Sequence, residues 1–186
     1  MLYWFKSNIW GHYLLVSQSA LNELGSAVSQ LSFWPTYLQP MLAGQTAEFN
    51  LHLAVFVEPY LSFMFEGLKT VESRFSVNRC APYKKVRRGD VILLKKTGGA
   101  VVGLCHASHV WDYALEPGSL GEIKDRFGLA ICAQGPEFWD ARAKAAYATL
   151  IRVERIEAIK PVTVPKRDRR GWVVLDTPSS MPTRLL

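Results

Sequence analysis

The sequence predicts an α+β protein, a small mixed β-barrel with peripheral helices and a helical N-terminal extension. Three observations lead there. Strand-like runs alternate irregularly with helical patterns, without the strand-helix-strand rhythm of a doubly wound sheet. Val91-Ile92-Leu93-Leu94 and Val101-Val102-Gly103-Leu104 flank Thr97-Gly98-Gly99, a hairpin whose glycines supply the positive backbone angles a tight loop needs. The 186 residues are 49% hydrophobic, enough for one domain with a real core, read here as an extension over 1–49 and a barrel domain over 50–186.

Within the extension, Leu21, Leu24, Val28 and Leu31 recur at helical spacing between Ser17 and Phe33. A second short helix is expected from Pro35 to Leu42, with Gly44 beyond its end. This segment either caps one mouth of the barrel or pairs across a two-fold axis. In the latter case Trp4, Phe5, Trp10, Leu24, Val28, Leu31 and Trp34 would form a homodimer interface. No uninterrupted apolar run is long enough to span a bilayer, so no membrane partner is expected.

The first core strand is expected over Leu51–Val57, with Leu51, Leu53 and Val55 alternating against His52 and Ala54. Pro59 opens and Gly67 closes a short helix that would bury Leu61, Met64, Phe65 and Leu68. Lys69-Thr70-Val71-Glu72-Ser73-Arg74-Phe75 then has strand periodicity. Asn78–Arg88 is too polar for a buried element and forms a loop containing Pro82 and Tyr83, followed by the hairpin arms Asp90–Lys96 and Ala100–Val110. Gly103 marks a bulge, a close backbone approach or tolerated weakening. Ser119 and Glu122 have capping-box spacing before an apolar stripe of Ile123, Phe127 and Ala130 or Ile131. A further helix is expected from Pro136 to Tyr147, then strands over Ala148–Ile156 and Gly171–Leu175.

The net charge of +6 is unevenly placed. Residues 1–50 hold only Lys6, Glu23 and Glu48, whereas residues 51–110 hold nine Lys or Arg against four Asp or Glu, an excess of +5. That field favours a polyanionic or phosphorylated partner, although moderate positive charge also serves solubility. Cys80, Cys105 and Cys132 have no CxxC spacing, and no secretory signal is read. A cytoplasmic protein with reduced thiols is expected. The four histidines do not combine with these cysteines into a zinc pattern, and no glycine run makes a P-loop, so neither a metal nor a cofactor is expected.

Lys69, Glu72 and Arg74 are three charged side chains on one short strand beside an apolar helix. A solvated edge strand is one reading of them. The run Glu66-Gly67-Leu68-Lys69-Thr70-Val71-Glu72-Ser73-Arg74, followed by Arg88-Gly89-Asp90, resembles the ASCH family, a PUA-like barrel related to EVE and YTH domains. The resemblance covers roughly residues 50–176. It implies a cleft along this segment that accepts a nucleotide or nucleobase.

Single-stranded RNA or a nucleobase in a basic cleft is therefore the expected ligand. Arg74 and the aromatics Tyr60, Tyr83 and Trp111 are the candidate binding residues, each aromatic with a competing core role. Lys84, Lys85, Arg87 and Arg88, with Lys166, Arg167, Arg169 and Arg170 on a second basic loop, are the candidate phosphate contacts. The alternative implied by the resemblance is a small hydrolase acting on acylated cytidine or RNA, with Lys69 and Glu72 catalytic. There Glu72 stands where that branch has a hydroxyl residue, and Glu116 or Glu122 would supply a further glutamate. A structural or protein-interaction domain is the third reading, and enzymatic status stays open.

Overall fold

The computed structural model describes residues 13–166 and 169–176. The chain runs β1 (Tyr13–Leu15), α1 (Gln18–Val28), α2 (Trp34–Leu42), β2 (Leu51–Phe56), α3 (Tyr60–Phe65), β3 (Val71–Ser76) and β4 (Val91–Lys96). It continues with β5 (Val101–Ala114), α4 (Ser119–Ile131), α5 (Pro136–Asp140), β6 (Tyr147–Val162) and β7 (Trp172–Asp176). The strands form one mixed sheet in the order β1-β7-β2-β4-β5-β6-β3, in which β1-β7 and β2-β4 are parallel pairs and the others antiparallel. Six strands make a curled, open half-barrel, and short β1 extends its edge.

The curl originates in the two long strands. Pairing of β5 with β6 shifts register at three places, and Arg155, at the shift between Leu104 and His106, has φ +51°. Such bulges bend a strand and increase its twist. The first part of β6 therefore turns to pair with β3, carrying β3 round towards β2. Among the described residues no ladder closes that gap. Arg74 bridges it instead, its Nη2 donating to Val55 O at 2.9 Å and its Nη1 to Gly171 O at 3.3 Å.

Both faces of the central strands are covered. Leu51, Leu53, Val91 and Leu93 pack against α1 and α2, whereas Ala54, Phe56, Ile92 and Leu94 pack inside the curl. The expected alternation of buried and solvated positions in β2 is thus corrected: His52 is as buried as its apolar neighbours. A third core places Ile123, Phe127 and Ile131 of α4 and Trp139 of α5 against Val71, Ala148 and Leu150. Ser17 caps α1 by accepting from Ala20 N–H, and Leu24, Val28 and Trp34 are buried within their own chain. Trp4, Phe5 and Trp10 lie outside the described residues. No helix among the described residues is long and apolar enough to cross a membrane.

Several local expectations change. Gly118, and not Ser119, caps α4, with no side-chain cap bond, so the capping box does not form. The helix expected over 136–147 ends at Asp140, because Ala146 N–H donates to Ser76 O and Tyr147 already pairs with β3 and β5. Of the four residues expected beneath α3, Leu61 and Met64 are buried but Phe65 and Leu68 are exposed, since the helix ends before Leu68. Gly103 proves to be a close approach beside a register shift: a Cβ there would stand 2.6 Å from the Phe65 ring and 2.8 Å from Glu157 O.

Candidate functional site

The turn after α3 is tight, with Gly67 at φ +73°, and both Leu68 and Lys69 donate their N–H groups to Phe63 O. It leaves Lys69 pointing inward. Its Nζ donates to Val71 O at 2.9 Å and to Ile131 O, at the end of α4, at 3.1 Å, and lies 3.3 Å from Glu72 Oε2. An ammonium has three donors, and these three oxygens account for them. Lys69 is 2% exposed and Glu72 4%. The other carboxylate oxygen, Oε1, accepts from Arg74 Nε at 2.6 Å. Arg74 is further held between Phe56 and Trp172, 5.2 and 5.3 Å from their ring centroids. The solvated edge strand is therefore not what forms: β3 buries its charges in a connected chain.

This chain forms one wall of a cleft of about 310 Å³, lined also by Val55, Phe56, Tyr60, Phe75, Phe138 and Arg142. Arg142, in the turn after α5, lies flat on Phe138 with its guanidinium carbon 3.4 Å from the ring centroid and donates to Phe138 O at 2.6 Å. Burial pushes its pKa below the ordinary value, opposed by Tyr60 and Glu72. Three cations thus share one carboxylate. Neither Arg142 nor Phe138 was singled out from sequence, since nothing local places the segment after α4 against β3.

A second cleft of about 180 Å³ adjoins the first through Arg74 and Phe75 and includes Tyr83, Pro82 and Thr149. Tyr83 meets Tyr147 at 4.9 Å, with Lys84 Nζ 5.6 Å from the first ring and the Arg79 guanidinium 5.3 Å from the second. Lys85 is exposed in the same loop. The other candidates are dispersed. Arg87 and Arg88 precede β4 beside the start of β2, whereas the main cleft opens at Val55, four residues further along that strand and so about 13 Å away. Trp111 packs on Phe127 and His109 and lines neither cleft. Arg169 is exposed, Lys166 and Arg170 are half-buried and engaged, and Arg167 lies outside the described residues. Glu116 precedes α4 and Glu122 lies in its first turn, about 13 Å of helix from Ile131, whose carbonyl receives Lys69.

A second buried polar cluster was also missed. His52 Nε2 lies 2.9 Å from Asp90 Oδ2, and Trp172 Nε1 donates to His52 Nδ1 at 3.2 Å, which leaves the ring proton on Nε2 facing the carboxylate. Asp90 also accepts from the backbone N–H groups of Asn50 and Arg87, both at 2.8 Å. Burial pushes the Asp90 carboxyl up, but these hydrogen bonds and the neighbouring imidazole outweigh it, so its pKa lies below the ordinary range. The available signal was a histidine inside an otherwise apolar strand, LHLAVF. Among the described residues, no group of three or more His, Cys, Asp or Glu side chains is placed to hold a metal ion.

No protein-family model matches the sequence, and no curated protein matches it. Solved structures do. ASCH from Zymomonas mobilis is similar to 61% of this chain over 73% of its own, with 16% identity and a TM-score of 0.50. A serine-to-alanine mutant of the Zymomonas mobilis protein is similar over 70% of this chain and 91% of its own, with 13% identity and a TM-score of 0.53. A tyrosine-to-phenylalanine mutant gives the same identity and TM-score over 70% of this chain and 93% of its own. The chain has the ASCH fold. At these identities the likeness is one of architecture, and the site within the ASCH fold has to be argued from its own residues.

Proposed function

We propose that the chain is an ASCH-family binding module that holds a nucleotide of single-stranded RNA in the Lys69-Glu72-Arg74 cleft. The observation that carries this reading is a small cleft with aromatic walls, Tyr60 and Phe138, and a local excess of positive charge. Its volume of about 310 Å³ is at the lower end of the ~300–1,000 Å³ typical of ligand pockets, which suits one nucleotide and not a longer stretch. A base offers a flat face to the Tyr60 ring and a hydrogen-bonding edge to the Arg74 guanidinium. The neighbouring Tyr83 cleft, with Arg79, Lys84 and Lys85 around it, supports a path for the adjoining strand. Binding of labelled oligonucleotides is expected to weaken steadily with added salt as condensed counterions are released. Salt-independent or absent binding across RNA and DNA pools would remove the proposal's support.

The saturated Lys69 ammonium favours binding over hydrolysis. A general base needs a free lone pair within reach of the substrate, whereas this amine spends its donors on two carbonyls and a carboxylate. Incubation with acylated cytidine and mixed-sequence RNA, followed by product mass measurement, is expected to show no turnover. Consumption that disappears in Lys69→Ala would establish the hydrolase instead.

A further inference from the structure

We propose that Arg142 is the cleft's phosphate handle, so that the ligand is a phosphorylated nucleotide unit and not a nucleoside. This rests on the nucleotide-binding reading and adds to it the ligand's charge and the residue that reads it. Among the three cations of the cleft, two already share its one carboxylate: Lys69 and Arg74 both engage Glu72. Arg142 has no carboxylate within ion-pair distance among the described residues, and one hydrogen bond, to Phe138 O, accounts for one of its five N–H donors. A half-buried cation that feels only a carboxylate already paired with two other cations gains from a directly bound anion.

Its geometry is ready for that pairing. The guanidinium is held over Phe138, with Phe75 5.7 Å away, and anchored by its bond to Phe138 O, which limits the rotamers open to its free donors. A flat, immobilised fork suits the paired oxygens of a phosphate. Glu72 is the carboxylate that lines the same cleft, and its single charge is already engaged by Lys69 and Arg74, which leaves Arg142 available to a ligand anion. Tyr60 lines the same cleft and its ring meets Phe138, which places a stacking surface for the base next to the Arg142 site.

The test compares calorimetric titration of the four ribonucleosides, their 5′- and 3′-monophosphates and inorganic phosphate against the unmodified protein, Arg142→Gln and Arg142→Lys. A monophosphate is expected to bind about tenfold more tightly than its nucleoside, an advantage lost in Arg142→Gln with nucleoside affinity retained. Arg142→Lys keeps the charge without the fork and is expected to recover part of the advantage; it also serves if the glutamine variant does not fold. Equal affinity for nucleosides and monophosphates, indifferent to Arg142, would overturn the inference and leave the nucleobase reading intact. Arg142-dependent binding of inorganic phosphate, with no preference for nucleotides, would uphold the anion site and overturn the nucleobase reading. No binding of any probe would overturn both.

Discussion

Two charged clusters are buried in this fold, and they differ in what they leave over. The His52-Asp90-Trp172 cluster is closed: His52 and Asp90 are both 0% exposed, and each ring nitrogen of His52 has one partner. The Lys69-Glu72-Arg74 cluster is equally well bonded but opens on a cleft and, with Arg142, carries more positive charge than its one carboxylate balances. Trp172 joins them, presenting its ring to Arg74 and its N–H to His52. Burial and satisfied hydrogen bonds therefore do not distinguish a structural cluster from a binding one. Unbalanced charge beside an open volume is what supports the proposed binding role of the second.

The largest effect that separates the two is expected from Asp90→Ala. It removes the acceptor of His52 and of two backbone N–H groups, and is expected to cost about 3–5 kcal/mol by chemical denaturation while nucleotide affinity of the folded protein is unchanged. Acid should reveal the same group. The carboxyl titrates below its ordinary 3.8 in the folded state, so its stabilisation is fully present above that value and is lost as the pH falls through the lower folded value. Asp90→Asn should flatten that acid limb of the stability profile. An unchanged midpoint in both variants would break the contrast.

Glu72→Gln is expected to act in two directions at once. It leaves Lys69 buried without its carboxylate, a loss of about 3 kcal/mol, yet it raises the positive excess of the cleft and should tighten nucleotide binding. Weaker binding by the folded variant would show that charge excess is the wrong criterion. The smallest effect is expected from Lys85→Ala in the exposed loop. Stability should stay within about 0.5 kcal/mol. The salt slope of RNA binding should fall by about 0.7 if that side chain contacts one phosphate of a single strand, and an unaltered slope would confine the ligand to the main cleft.

The sequence disclosed what is local. Tyr60, Lys69, Glu72 and Arg74 lie within one helix-turn-strand unit, and that unit brings them to one cleft. The glycines at 98 and 99 disclosed the β4-β5 hairpin for the same reason. Long-range placement was hidden. Arg142 reaches β3 from a segment whose alanines suggested more helix than α5 contains, because pairing of Tyr147 with two strands overrides propensity. The strand expected to stop at Ile156 continues to Val162 through Pro161. Beyond Arg152, β6 pairs only with β5, and an edge tolerates a residue without an N–H. Asp90 and Trp172 lie 38 and 120 residues from His52, beyond any periodicity.

The position of β7 has a consequence for the order in which the chain acquires its shape. β7 inserts between β1 and β2, so two of the earliest described strands wait for the last one to be synthesised. About 120 residues separate Leu51 from Trp172, which at ~5–20 residues per second is roughly 6–24 s of translation. Throughout that interval one edge of β2 lacks its partner, while Val173 and Leu175 are missing from the core that Leu51 and Leu53 share with α1 and α2. The nascent chain is therefore most exposed to mispairing at β2, the first long apolar strand among the described residues, and the sheet cannot be completed before residues 172–176 have been made.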